Sequence, residues 1–528
     1  MEILIGLIAL IIATVIMVEI GARTGLPWPA LLVIIAGIGI FIPGVPEIDI
    51  PADLMLPIFI PPLLWALARR TSWQAIHSQW KTILSMSIGL TLVTALVVGF
   101  SASLLIPGLG FASALVIGAA ISPPDPVAVE AVAEPAGVPR RLSSTLQTEG
   151  LFNDAASIVV FNLALSVVTT GNAVEADSAI YTFIYAAGVA GILGYLIGRG
   201  AAWLNNHLSN VAARTAFSWA IPFATYIVAE EIHASGVIAI VIAAIEFHNR
   251  SSSGAEDRLT GATFWEIIEL LFTGVAFGLI GLMVRDAIDE VGSDIWHAVL
   301  IGTILSFVAI LVRAIWMYAA FRWNMRSARC NNHIPQGAPL RLQEVLLLTW
   351  AGMRGLVTLA LVLSIPYSSG FEAYNELPVI ALTVLLWTMV ISGLTLPWLM
   401  SNLSLDKGPD VFGDEAREEL LQRARAAARD CFTDNAHWIP EDKRSEVLHT
   451  LEERTGLLAS DGDNSALRSK EKIQEVTHKI TAARLNALEA AQASMLEARN
   501  EPGVEPAIVD EILHNIDAQI LGLQRQKH

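Results

Sequence analysis

Three carboxylates in this chain stand in apolar stretches that give them no solvent: Asp125, Glu149 and Asp154. Asp125 lies in Ser122-Pro123-Pro124-Asp125-Pro126, which breaks one apolar stretch, and the next carries Glu149-Gly150-Leu151-Phe152-Asn153-Asp154. A charge at the centre of a membrane helix costs about 2.5–3.5 kcal/mol on insertion scales. Prolines donate no backbone hydrogen bond and open the helix before them, and hydrocarbon cannot satisfy the carbonyls they free. Both costs fall in adjacent segments, which points to one cation site. Asp154, Asp125 and the backbone around Ser122–Pro124 would supply oxygens suited to a hard cation.

On a continuous helix Asn153 lies about 40° around from Glu149, and Asp154 about 140°. The two acids then face different neighbours, so one can line a cation path while the other is tied to a basic residue. A buried polar network is the purely structural alternative. The candidate counter-charges are Arg313 and Arg354, and Gly352 and Gly355 flank Arg354 where a second helix can open.

These residues need a membrane scaffold, and the composition provides one. The chain has 528 residues, 54% of them hydrophobic and 16% charged, with a mean hydropathy of +0.56. Apolar runs at about 2–22, 27–45, 53–68, 82–106, 110–133, 143–170, 178–204, 213–231, 233–248, 264–284, 294–320, 342–366 and 377–402 predict about thirteen transmembrane helices. Segments five and twelve hold the two breaks, so helices 1–6 and 8–13 are expected to form inverted repeats whose broken helices cross.

Arg23, Arg69, Arg70, Lys81, Arg140, Arg141, Arg250 and Arg322 fall at one set of alternate helix ends, whereas the opposite ends carry essentially Arg285. The positive-inside rule then places the N-terminus outside and the C-terminus in the cytosol. Short loops and the absence of targeting extensions predict a multi-pass protein of a bacterial plasma membrane, in contact with lipid. Residues 1–403 form the expected transmembrane domain. Residues 404–528 hold nearly half of the charged residues and form the expected cytosolic helical domain, with helices near 413–432, 438–456, 465–498 and 504–526. Ala482–Ala498 reads as either a coiled coil or part of a solvated bundle, with a regulatory or oligomerisation role. Cys330 and Cys431 fall in segments read as cytosolic and are expected to be reduced thiols.

The formal charge of −17 excludes a nucleic-acid partner. No nucleophile–base constellation or phosphate-cradling glycine loop is present, which argues against an enzyme, and no cofactor is expected. Glu246 and His248, and Glu230, Glu231 and His233, fall near helix ends and either line funnels or sense pH or, the favoured reading, are solvated at the interface. Glu266, Glu269 and Glu344 are read as solvated or paired with loop arginines.

Taken jointly, the Asp125-Pro126 break, the Glu149-x-x-x-Asn153-Asp154 cluster, Gly352-Met353-Arg354-Gly355, Pro61-Pro62-Leu63-Leu64 and Arg313 resemble the cation:proton antiporter-1 family of sodium/proton exchangers, over about residues 1–402. The resemblance implies secondary antiport of Na+ or Li+ against H+, for pH and sodium homeostasis. Asp154 would be occupied in turn by Na+ or H+, with Asn153 beside it. The Asn-Asp pair implies the electroneutral branch, Glu149 would pair with Arg313, and Arg354 would neutralise the crossing through Asp125. It also implies a homodimer with an elevator-like motion. Pro124 and Gly150 depart from the family's usual Thr and Ser, which leaves K+/H+ exchange as the nearest alternative. An organic-anion carrier and an ion sensor signalling through the tail are more distant ones.

Overall fold

A computed structural model describes residues 2–39, 52–133, 138–170, 176–251, 254–291, 294–331, 339–366, 371, 374–403, 411–435, 470–499, 501, 504 and 506–525. The described residues are helical, without a strand. Eight helical stretches are long and apolar enough to cross a membrane, from Leu4–Thr24 to Tyr374–Asn402. The other five runs read from the sequence fall on α2 (Trp28–Gly39), α3 (Ala52–Ala68), α11 (Val211–Glu231), α12 (Gly236–Arg250) and the broken pair α15 (Leu342–Trp350) and α16 (Leu356–Leu363), which are not among those eight.

The remaining elements frame these. α1 (Glu2–Thr24) presents much of its surface outward, with Leu4, Ile5, Ile12 and Val15 exposed as on a lipid-facing helix. α4 (Trp73–Ile83) runs through a π-helical turn, Leu84–Gly89, into α5 (Leu90–Leu105). α6 (Phe111–Ile121) stops at the prolines, and α7 (Pro126–Ala133) restarts beyond them. α8 (Arg140–Gly150), α9 (Asn153–Thr170) and α10 (Ala176–His207) follow. α13 (Ala255–Val291) and α14 (Ile295–Asn331) are each 37 residues long. α17 (Leu377–Leu385) passes through a second π turn, Leu386–Ile391, into α18 (Ser392–Asn402).

One continuous apolar core joins these helices, and within it α6 and α9 pack against each other, against α5 and against α16. The stretch 143–170 departs from the sequence expectation of one unbroken helix. It is interrupted at Leu151 and Phe152, so α9 begins afresh at Asn153.

The acidic end of the chain contributes α19 (Val411–Asn435), α20 (Lys470–Ala498) and α21 (Pro506–Arg525). In α21, Ile508, Ile512, Ile516 and Ile520 recur every four residues and are buried against Leu488, Ala491 and Met495 of α20 and Leu420 and Ala424 of α19. These helices pack together as a cluster with its own core. The helix expected near 438–456 lies outside the described residues.

Two surface expectations change. Glu246 is buried rather than solvated. It accepts from Trp73 Nε1 at 3.1 Å and pairs with Arg250 one turn on. Glu269, by contrast, pairs with the loop residue Arg70 at 2.8 Å, as expected. Glu344 is buried and accepts from the Leu340 N–H at 2.6 Å at the start of α15.

Candidate functional site: two broken helices and a buried carboxylate

Proline chemistry and glycine spacing open the chain at 122–125 and 351–355, and the two openings meet. The Asp125 N–H donates to the Met353 carbonyl at 2.7 Å, which ties one break to the other. Each break exposes two helix ends, and each helix end carries unsatisfied backbone groups and a partial charge. Asp125 serves both N-termini. Its Oδ1 accepts from Val127 N (2.9 Å) and Ala128 N (3.2 Å) at the start of α7, and Oδ2 accepts from Leu356 N (3.2 Å) at the start of α16. Arg354 serves both C-termini. Its Nε donates to the Ile121 carbonyl at 3.2 Å and its Nη1 to the Gly352 carbonyl at 2.5 Å.

One carboxylate thus faces two positive helix ends and one guanidinium two negative ones. The family resemblance implied that Arg354 acts through Asp125; the two instead divide the four helix ends between them, and neither forms an ion pair with the other. Both Asp125 oxygens are already engaged with backbone N–H groups, a different placement from the open ion ligand expected. The cause is α16, whose N-terminus comes from 231 residues along the chain.

Glu149 is held in a fork. Arg313 donates from Nη1 to Oε1 at 2.5 Å and from Nη2 to Oε2 at 2.9 Å, and both side chains are almost fully buried, at 1% and 2% exposure. A third Arg313 N–H donates from Nε to the Leu348 carbonyl at 2.8 Å, in the last turn of α15. The partner of Glu149 is therefore Arg313 and not Arg354. Glycine is required for this approach, because a Cβ at Gly352 would strike the Arg313 side chain and one at Gly355 the Asp125 carboxylate.

Asn153 and Asp154 open α9 directly against the first break. Asn153 Nδ2 donates to the Pro124 carbonyl at 2.5 Å, and its Oδ1 accepts from the Asp154 N–H at 2.7 Å. Asp154 is 4% exposed, and its Oδ1 is buried with no hydrogen-bond partner. Ser122 Oγ turns back onto the Ala119 carbonyl at 2.9 Å, within its own helix. Of the acids and cations in the crossing, Glu149, Asp125, Arg313 and Arg354 are all met by protein groups. Asp154 is the exception, and a buried carboxylate in that state needs a proton or a cation.

Comparison with known proteins identifies the family to which this fold belongs. The family described as sodium/hydrogen exchanger, transmembrane, matches residues 7–402. This chain belongs to the sodium/hydrogen exchanger family. Relatives include an uncharacterized Na(+)/H(+) exchanger of Mycobacterium tuberculosis, 25% identical over 98% of this chain and 95% of the relative. The Na(+)/H(+) antiporter ApNhaP of Aphanothece halophytica is 27% identical over 86% of each chain. The sodium proton antiporter MjNhaP1 from Methanocaldococcus jannaschii has the same fold, with a TM-score of 0.58 at 18% identity over 77% of this chain and 100% of that one. Such proteins are membrane transporters rather than enzymes.

Within this exchanger the structure adds groups that the sequence reading missed. Ser157 lies one turn after Asn153 and donates to the Ala119 carbonyl at 2.7 Å, so a second carbonyl freed near the break is met from α9. Its spacing of four from Asn153 was the available signal. Ser87, in the first π turn, donates to the Glu149 carbonyl at 2.6 Å. A lone serine in an apolar run carries no such signal, although π turns often mark functional sites. Gly150, one of the two departures from the family pattern, is packed by Pro126, which a side chain there would strike.

Proposed function

We propose that this exchanger moves Na+ or Li+ against H+, one for one and electroneutrally, with Asp154 as the group that holds either the cation or the proton. The observation that carries this reading is the buried, unpartnered Oδ1 of Asp154 beside the α6–α7 break. A site that takes one proton or one cation, and crosses only when occupied, exchanges them at one to one. Asn153 positions Asp154 and fixes the break through Pro124, while Glu149 with Arg313, and Asp125 with Arg354, hold the crossing together. Ser122 and the backbone up to Pro124 line the same break. Protons and cations compete, so the apparent cation affinity falls about tenfold for each pH unit below the pKa of the site.

A broader cation range is the second reading. It is favoured by Pro124 and Gly150, which remove two hydroxyls from the family pattern. It is favoured too by a Bacillus subtilis relative named sodium, potassium, lithium and rubidium/H(+) antiporter, 28% identical over 79% of this chain and 65% of the relative. The same reading places the protein in a bacterial plasma membrane as a homodimer, N-terminus outside, with residues 404–528 as a cytosolic regulatory domain. Its role there is pH and sodium homeostasis.

The test is dissipation of an imposed pH gradient in proteoliposomes on addition of Na+, Li+ or K+. Wild-type protein is expected to respond to Na+ and Li+, and Asp154→Asn to be silent while still folded. Exchange retained in Asp154→Asn would remove the assignment, and a K+ response would establish the broader range.

A further inference from the structure

A concentration of unsatisfied buried groups lies outside the crossing, where the cluster of α20 and α21 packs against α3, α11, α12 and α13. A cavity of about 920 Å³ opens there, at the upper end of the usual range for small-molecule sites. Its wall carries five arginines, Arg69, Arg70, Arg214, Arg258 and Arg499, against four carboxylates, in a chain whose overall charge is strongly negative. Three of those carboxylates are already spent on arginines of the same wall, Asp257 on Arg214, Asp517 on Arg258 and Asp510 on Arg499, and Arg70 pairs with Glu269 just outside it, so an anion there would be met chiefly by Arg69.

Six lining side chains keep a buried polar atom without a partner. Trp65 Nε1 and Arg69 Nε are donors, His248 Nδ1 and Ser251 Oγ can act either way, and Asn205 Oδ1 and Asp257 Oδ1 are acceptors. Buried polar groups are normally paired, so six in one cavity call for a common partner. Burial lowers the Arg69 guanidinium to about 10, which leaves it a cation at neutral pH. The donors and cations fit an anion, the acceptors fit hydroxyl groups, and the aromatic faces of Trp65, Phe247 and Trp265 form the apolar side.

We propose that this cavity binds a phosphate ester that carries free hydroxyl groups, with its phosphate at Arg69 and its hydroxyls toward Asn205 and Asp257. Arginine suits the task, since its planar fork matches phosphate oxygens. Two sources share this chemistry: a soluble nucleotide and a phosphatidylglycerol head group. In either case the ligand touches both the membrane helices and the terminal cluster, because Arg499 donates from α20's end to the Arg69 carbonyl at 3.4 Å and Asp517 of α21 is forked by Arg258 of α13 at 2.6 Å. The site does not depend on the exchange reading, and its occupancy is read by binding.

The full chain in phosphatidylcholine nanodiscs is titrated with AMP by thermophoresis, and in a second arm the protein is taken from discs containing phosphatidylglycerol and its retained lipid is measured by native mass spectrometry. Saturable binding of one of the two is expected, about tenfold or more weaker in Arg69→Gln. Gly261→Phe provides a variant that removes no charge: a Cβ there meets no atom within 4 Å, and the ring would enter the cavity. It is expected to weaken binding equally, whereas Asp154→Asn leaves binding unchanged. AMP binding would identify a soluble ligand, and retained phosphatidylglycerol a lipid. Saturable binding of neither, or binding that survives both cavity variants, would overturn the proposal and leave a solvent-filled cavity.

Discussion

The crossing of the two broken helices and the contact between the terminal cluster and the membrane helices both rest on arginine–carboxylate pairs, yet the pairs differ in what surrounds them. Arg313 and Glu149 are sealed from solvent on both sides. Arg258 and Asp517 are sealed on the acid's side only, with Arg258 at 19% exposure. Arg423 and Glu501, inside the terminal cluster, are each well exposed, at 38% and 44%. Depth decides what such a pair is worth: water and salt screen the outer pair, while only neighbouring protein groups stabilise a charge in the inner one. The crossing is therefore a rigid electrostatic frame around one uncommitted carboxylate, and the terminal contact is a bond of a strength that a ligand can rival.

Breaking the inner pair should have the largest effect. Arg313→Met leaves Glu149 buried and unpaired, at a cost on the order of 3–5 kcal/mol. Thermal unfolding in detergent is expected to show a steep loss of stability, with part of it regained in the double variant Glu149→Gln with Arg313→Met. A stable single variant would mean that the pair is not the frame it looks to be.

Gly355→Ala forces a methyl group onto the Asp125 carboxylate. It is expected to cost about 1–3 kcal/mol as overpacking, and to slow exchange by displacing the cap that both α7 and α16 share. Equal transport rates in wild type and variant would show that the crossing tolerates movement.

Asp517→Ala tests the intermediate pair. An effect on the order of 1 kcal/mol is expected, seen as faster limited proteolysis of the terminal cluster with the melting of the membrane part unchanged. A shift of the main transition instead would put the terminal contact on the same footing as the crossing.

The exposed pair should matter least. The Arg423 guanidinium hydrogen-bonded to Glu501 holds that carboxyl below its usual range. A depressed carboxyl contributes stability above its unfolded pKa and loses it as pH falls through the folded value, so Arg423→Ala should differ from wild type only at neutral pH and converge with it in acid. Helicity of the terminal cluster, followed by circular dichroism across an acid titration, checks the sign.

Much of the crossing is legible in the chain itself. Three prolines around Asp125 and two glycines around Arg354 mark both breaks before any neighbour is known, because backbone donors and Cβ atoms are local properties. The spacing of Asn153 and Asp154 from Glu149 likewise marks a polar cluster in apolar sequence. Other features needed partners. The break at Leu151 and Phe152 has no proline, and it is stabilised by Asn153 binding the Pro124 carbonyl, 29 residues back. Glu246 looked interfacial because it lies near a helix end, and it is buried by Trp73, 173 residues away.

By itself the sequence determined that the chain is a helical membrane protein, where two of its helices open, and which acids and arginines stand without solvent. Hydropathy, proline and glycine act within a few residues, so these facts needed no fold. Only the tertiary structure decided which charge answers which: that Asp125 and Arg354 each serve two helix ends, that Arg313 takes Glu149, and that Asp154 keeps a free oxygen. Pairing depends on distance in space, and residues more than a hundred apart in the chain reach hydrogen-bond range only once the helices have crossed.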